Sequence, residues 1–329
     1  MPKAKLVTIF GGSGFVGRYI ARRMAQEGWR VRVAVRRPND AIYVRPYGVV
    51  GQVEPVFCNI RDDNSVRDVL RGADAAVNCV GVLAETGKNT FEAVQQEGAA
   101  RVARIAAELE TPRLIQISAI GADADSDSAY ARTKAAGEKA ILDAYPQAII
   151  LRPSIIFGPE DEFFNRFGKM ARMGPILPVV GASTRFQPVY VDDVAQAAVK
   201  GVLGQAAPGI YELGGPDVNT FRELMVYMLS VIRRRCLIVN VPFWAASIMG
   251  RGFDLLQKLS FDMIDPAITR DQVANLRRDN VVGDGVKTFA DLGIEPTSLE
   301  AVVPEYLWRF RPSGQYSDIK QSAQNLPGN

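Results

Sequence analysis

Leu6-Val7-Thr8-Ile9-Phe10-Gly11-Gly12-Ser13-Gly14-Phe15-Val16-Gly17 reads as a strand, a glycine turn and the opening of a helix. Leu6–Phe10 is an apolar run of strand length, and the pattern from Phe15 to Glu27 is helical. Gly11 permits a tight turn, Gly14 lets the backbone come close to a pyrophosphate, and Gly17 lets helix and strand pack closely. The amino end of the helix adds N–H donors and a favourable dipole, so Ser13, Phe15 and Val16 join the three glycines as predicted phosphate contacts.

The same alternation continues downstream. Strands are expected at Val31–Val35, Val53–Cys58, Ala75–Val80, Leu114–Ser118 and Ala148–Leu151, and helices at Ser65–Arg71, Phe91–Leu109 and Ala129–Ala144. This predicts an α/β fold, a Rossmann-type doubly wound parallel sheet, with ligands beyond the carboxyl ends of the strands. Residues 1–157 form the nucleotide-binding domain, with 186–200 returning to it as a short strand and helix. Residues 158–329 form a smaller, mostly helical domain with strands at Ile210–Gly214 and Leu237–Val241 and a polar tail over 311–329.

Arg36 and Arg37 follow the second strand, where an acidic residue would accept the ribose hydroxyls of NAD. Two guanidiniums instead offer bidentate donors to a 2′-phosphate, with Arg18 assisting, and the cofactor expected is NADPH. A solvated basic loop is the competing reading. Asn59 and Ile60 after the third strand are expected to edge the adenine, and Cys79, Val80 and Gly81 to lie near the nicotinamide-side ribose, unless these positions serve only as turns.

Composition narrows the chemistry. The 329 residues hold no histidine, which removes histidine acid–base work, Ser-His-Asp chemistry and the usual zinc sites, so no metal is expected. Cys58, Cys79 and Cys236 are far apart and read as reduced thiols. A net charge of +3 without a basic, aromatic-interleaved stripe argues against nucleic acid. Met-Pro-Lys-Ala-Lys runs straight into the first strand, and the expectation is a protein that acts where it is made.

Tyr130 and Lys134, four residues apart, share one helical face, and Ser118 ends the preceding strand. In this arrangement a Lys cation lowers the Tyr pKa and hydrogen-bonds the nicotinamide ribose, Tyr passes a proton to a carbonyl, and Ser orients a substrate oxygen. With these residues, and with Leu151-Arg152-Pro153-Ser154-Ile155-Ile156-Phe157-Gly158-Pro159, Pro188–Ala195 and Tyr211–Pro216, the chain resembles the extended short-chain dehydrogenase/reductase superfamily. The runs Phe157–Phe167 and Ile268–Val282 are similar to one branch of it, the NADPH-holding accessory subunits of respiratory complex I. The resemblance puts Pro153 and Ile156 against the cofactor. It implies that NADPH is bound without turnover, that the partners are other subunits of a membrane-bound NADH:quinone oxidoreductase, and that the chain sits on the peripheral arm where quinone enters. It would face the bacterial cytoplasm, or the matrix in a mitochondrion. Only the short loop Ala119–Ala129 joins Ser118 to Tyr130, leaving little room for substrate recognition, so Ser118, Tyr130 and Lys134 are expected to be vestigial as catalysts. A stand-alone NADP(H)-dependent reductase or epimerase using Tyr130 and Lys134, and a sensor of the NADPH/NADP ratio, remain the alternatives.

Over residues 243–259, Ala245, Met249, Phe253 and Leu256 fall on one helical face, widened by Trp244, Ile248, Leu255 and Leu259. With basic residues nearby, this arc suits a helix lying on a membrane surface, or equally a core helix of the small domain. The stretch is too short and polar to span a bilayer.

Overall fold

The computed structural model describes residues 4–246, 248, 270–312 and 314. Seven strands form one sheet: β1 (Leu6–Phe10), β2 (Arg30–Val35), β3 (Val53–Phe57), β4 (Ala75–Asn78), β5 (Leu114–Ile117), β6 (Ile149–Pro153) and β11 (Gly209–Leu213). Their order is β11-β6-β5-β4-β1-β2-β3, parallel at every pairing. The chain leaves β1 toward β2 on one side and crosses back to β4 on the other. The reversal of strand order therefore falls between β1 and β4, where such sheets open a crevice for ligands.

Both faces of the sheet are covered, because the period-two alternation of a strand sends successive apolar residues to opposite sides. Val7, Ile9, Val31, Val33, Ala75 and Val77 pack on one face with α1 (Phe15–Gln26) and α6 (Val191–Leu203). Phe10, Ala34, Ala76 and Leu114 pack on the other with α2 (Asp63–Leu70), α3 (Glu97–Glu108) and α4 (Ala129–Ala144). Along α1 the buried residues are Gly17, Ile20, Ala21, Met24 and Ala25, at helical spacing. Ile20 and Met24 are fully buried, and burying each contributes roughly 1.5–3 kcal/mol. Arg23 clamps α1 to α6 by donating to both carboxylate oxygens of Asp192, at 2.6 and 2.8 Å.

The return to the sheet is longer than 186–200. Gly209–Leu213 is its seventh strand, and Phe289, Leu292 and Ile294 join the core under α1 and α6. A separate apolar cluster gathers α5 (Phe164–Met173), α7 (Phe221–Val231) and the helix Leu299–Leu307, with Phe163, Phe167, Phe186 and Phe221 in mutual ring contact. Beside it lies a parallel pair, β8 (Ile176–Val180) and β13 (Leu237–Val241).

The sequence pattern did not disclose four of these elements. Pro38–Tyr47 is a 3₁₀ segment, Glu92–Gln96 is a π turn leading into α3, and α5 and β8 follow Phe157. Of the apolar arc predicted over 243–259, Trp244 and Ile248 are exposed and Ala245 is half-buried, while Met249, Phe253, Leu255, Leu256 and Leu259 lie outside the described residues.

Candidate functional site

The crevice between β1 and β4 is a cleft of about 290 Å³ lined by Gly11, Gly14, Phe15, Val16, Gly17, Cys79, Gly81, Val82, Leu83 and Tyr130. Gly11 takes φ +69°, which turns the chain sharply out of β1. A Cβ on Gly17 would stand 2.4 Å from the Gly11 carbonyl oxygen and 2.7 Å from Gly12 Cα, so only glycine lets α1 begin this close to the turn. Gly14 is the N-cap of α1 and supplies no side-chain cap, and the lining residues Gly14–Gly17 form the first turn of that helix. A helix start without a side-chain cap, opening into a cleft beside bare glycine backbone, fits the diphosphate of a dinucleotide.

Arg18 folds back on the turn, donating to the carbonyls of Gly14 and Ser13 at 3.2 Å each, and stacks over the Tyr43 ring at 5.1 Å. Tyr43 in turn donates its hydroxyl to the Ser13 carbonyl. Arg36 and Arg37 stand exposed just past β2, and the one partner resolved for Arg37 is Asp40, a loose surface pair at 3.8 Å.

The residues after β3 have structural duties. Asn59 Oδ1 accepts from Arg61 N in a local turn, and Ile60 is buried against α3. Cys79 and Gly81 do line the cleft, whereas Val80 packs on Gly11. Burial pushes the Cys79 thiol up to about 12, so it is inert at neutral pH. Pro153 is buried at the end of β6 with its carbonyl accepting from Ile120 N, and Ile156 is half-buried beside the sheet core.

Tyr130 and Lys134 lie one turn apart on α4, with Lys134 Nζ 5.8 Å from the Tyr130 ring centre. The expected lowering of the Tyr pKa by Lys is not what the geometry produces. Burial first, and then the Asp271 carboxylate, push the Tyr130 phenol up to about 12. Burial brings Lys134 down to about 8 against the opposing pull of Glu138 and Cys79. Its Nζ donates to the Ile117 carbonyl at 3.4 Å and faces Gly81.

Ser118 departs furthest from its predicted role. Its hydroxyl donates to Glu138, a buried carboxylate that also receives Arg152. Arg152 reaches on to Glu212 at 3.4 Å, and Glu212 accepts from Gly283 N at 2.9 Å. The hydroxyl is thus tied into a buried ion network.

Four participants escaped the sequence reading. Glu138 follows Lys134 by four residues, the same spacing as Tyr130 to Lys134, a repeat that was there to be read. Val82 and Leu83 extend the cleft wall, and Val82 is held by Gln95 of the π turn, whose Nε2 donates to its carbonyl at 2.7 Å. Asp271, in the short helix Arg270–Asn275, accepts from Ser128 Oγ at 2.8 Å, Ala129 N at 2.6 Å and Tyr130 N at 3.3 Å. It thereby caps the helix that carries Tyr130 and Lys134. Beyond it Arg278 pairs with Asp123, and Asn280 donates to the Ile120 carbonyl at 3.2 Å, so the short loop after Ser118 is pinned down by the late segment.

The sequence pattern of the NAD dependent epimerase/dehydratase family matches residues 7–214. The mitochondrial NADH dehydrogenase [ubiquinone] 1 alpha subcomplex subunit 9 of Arabidopsis thaliana is 36% identical over 316 residues, covering 94% of this chain and 79% of its own. A ceramide reductase of Caulobacter vibrioides is 33% identical over 241 residues, covering 72% of this chain and 74% of its own. Among solved structures, the dTDP-glucose 4,6-dehydratase DesIV of Streptomyces venezuelae, with NAD and TYD bound, superposes with a TM-score of 0.70 at 19% identity over 96% of this chain and 98% of its own.

Proposed function

Because the chain belongs to the NAD dependent epimerase/dehydratase family, we propose that it binds a nicotinamide nucleotide in the β1–β4 cleft and keeps it as a structural ligand. The nucleotide is NADPH, and the chain serves as an accessory subunit of a membrane-bound NADH:quinone oxidoreductase. The observation that carries this reading is the likeness to subunit 9, which runs along 94% of the chain and takes in the late segment that pins the cleft. Residues 1–157 with 186–200 hold the cofactor, through Gly11, Ser13, Gly14, Phe15, Val16 and Gly17 at the diphosphate and Arg18, Arg36 and Arg37 at the 2′-phosphate. Cys79, Gly81, Tyr130 and Lys134 take the nicotinamide ribose. The partners are other subunits of that oxidoreductase, on the peripheral arm where quinone enters.

A nicotinamide nucleotide supplies hydride transfer when a substrate shares its site. Two features of this chain oppose that use: Ser118 is bound to Glu138, and the loop Ala119–Ala129 is stapled by Arg278 and Asn280. Among the described residues no helix is long and apolar enough to cross a membrane. Attachment to the membrane is peripheral. The side of attachment is the bacterial cytoplasm or the mitochondrial matrix.

Tyr130 and Lys134 share the cleft side of α4, and the likeness to a ceramide reductase keeps a second reading, a stand-alone NADP(H)-dependent reductase. Gentle detergent extraction followed by size separation tells them apart. Migration of the chain with a very large redox complex, carrying NADPH that is not consumed, is expected. A small soluble species that oxidises NADPH steadily, and stops when Tyr130 is changed to Phe, would establish the reductase instead.

A further inference from the structure

The β8–β13 pair has an outward face that is apolar where water would normally demand polar side chains. Its parallel register sets Ile176 beside Leu237 and Pro178 beside Val239. Leu177 and Val179, the alternate residues of β8, are buried at 0% and 1% exposure, whereas Ile176 is 57% exposed, Leu237 67% and Val239 38%. A strand with one face in water ordinarily alternates apolar inward with polar outward. Here both sides are apolar. Close by in the chain, Met173 at the end of α5 is 87% exposed, and Trp244 and Ile248 just past β13 are exposed as well.

The rim of this face is cationic. Lys169 and Arg172 on the last turns of α5 are exposed, as are Arg233 and Arg235 before β13, while Arg234 is half-buried and donates to the Phe310 carbonyl at 2.7 Å. Neither 169–180 nor 233–248 contains an aspartate or glutamate. Between α7 and β13 a shallow groove of about 580 Å³ sets the three arginines beside Val226, Leu229, Cys236 and Ile238.

We propose that this face seats on a bilayer containing anionic phospholipid: Ile176, Leu237, Val239, Met173 and Trp244 enter the headgroup boundary, and Arg172 and Arg235 engage headgroup phosphates. The chemistry selects a bilayer over a protein partner. An anionic bilayer offers in one surface an apolar boundary for these side chains and a layer of phosphates for the cations beside them. At an anionic membrane the apolar side chains leave water, while the arginines stay at the phosphate depth where the surface potential attracts them. The proposal takes from the functional reading only that a membrane is at hand.

The experiment is flotation of the purified full-length chain with vesicles of phosphatidylcholine alone and of phosphatidylcholine with phosphatidylglycerol. Binding to the anionic vesicles is expected, weakened by salt, and reduced roughly tenfold or more in Arg172→Glu/Arg235→Glu and in Ile176→Asp/Leu237→Asp. Unchanged nucleotide content and melting temperature in both variants would show that they fold. Equal binding to the neutral vesicles, no binding to either, or variants that bind like the parent would overturn the proposal. If the chain ignores vesicles yet still migrates with the NADH:quinone oxidoreductase, the lipid face is wrong and the functional reading stands. If it binds anionic vesicles but never joins the complex, the reverse holds.

Discussion

Ser118 at the end of β5 donates its hydroxyl to Glu138, the third in a row of residues on α4 spaced by four from Tyr130 through Lys134. The serine that an active reductase would aim at a carbonyl is tied to a carboxylate only 4% exposed, which Arg152 also holds. Glu138→Ala leaves the 21% exposed Arg152 guanidinium with Glu212 as its carboxylate partner, and should lower stability by about 2 kcal/mol. Ser118→Ala removes one donor and should cost about 1 kcal/mol, with bound nucleotide unchanged. Thermal melts and nucleotide content check both. Loss of a carbonyl-dependent NADPH oxidation in Ser118→Ala, with the melt unmoved, would restore Ser118 to catalysis.

Gly14 and Gly17 separate folding from binding. A methyl at Gly17 meets backbone at 2.4 and 2.7 Å and must push α1 off the turn. Gly17→Ala should therefore destabilise the fold by roughly 1–3 kcal/mol and empty the site. At Gly14 the nearest atom to an added Cβ is the Gly11 carbonyl oxygen at 3.1 Å, a contact that small shifts relieve. Gly14→Ala should keep the fold and lose the nucleotide, because the methyl stands where phosphate must approach. Purified protein analysed for released nucleotide distinguishes the two, and full occupancy in Gly14→Ala would move the diphosphate elsewhere.

Arg36 and Arg37 decide which nucleotide is held. Arg36→Glu with Arg37→Glu reverses the charge facing a 2′-phosphate, and should weaken NADPH by roughly a hundredfold while leaving NADH nearly untouched. Titration with both nucleotides measures the ratio. Equal losses for the two would assign these arginines to the solvated surface.

Legibility followed locality. Leu6–Phe10, Ala129–Ala144 and Leu237–Val241 have the bounds their residue patterns predict, since each is an apolar run or helical stripe closed by its own flanking residues. The 3₁₀ segment Pro38–Tyr47 has no such stripe and contains Pro46, so neither it nor Tyr43 could be foreseen. Asn59 offered an amide of the right kind for a nucleotide edge, yet its oxygen closes a turn two residues on. Asp271 lies 143 positions from the Ser128 hydroxyl it accepts from, and nothing in a sequence read along its length marks that meeting.

That meeting carries its own prediction. Ser128 caps α4 through Ala131 N at 3.2 Å, and Asp271 adds acceptors for Ala129 N and Tyr130 N. Asp271→Ala should cost about 1 kcal/mol, as the loss of a helix cap does. The larger effect should be kinetic, because the late segment loses its hold on the helix beside the nucleotide: release should quicken several-fold. Stopped-flow displacement reads this directly, and an unaltered release rate would reduce Asp271 to a cap.

Lys134 gives the nucleotide a pH dependence opposite to that of the fold. Its folded pKa is lowered by burial to about 8, so the folded chain binds fewer protons than the unfolded one between there and the ordinary lysine range. Through Lys134, fold stability therefore gains as pH rises across that window. A ribose held by the ammonium form feels the reverse: affinity is full below about 8 and falls as the proton leaves. Lys134→Met should remove the step and weaken binding at neutral pH by roughly tenfold. Equilibrium titrations from about pH 7 to pH 9 separate the two trends, since melting reports mainly the first and nucleotide affinity the second. Affinity that stays flat in the parent chain across that range would mean that Lys134 holds the Ile117 carbonyl and not the cofactor.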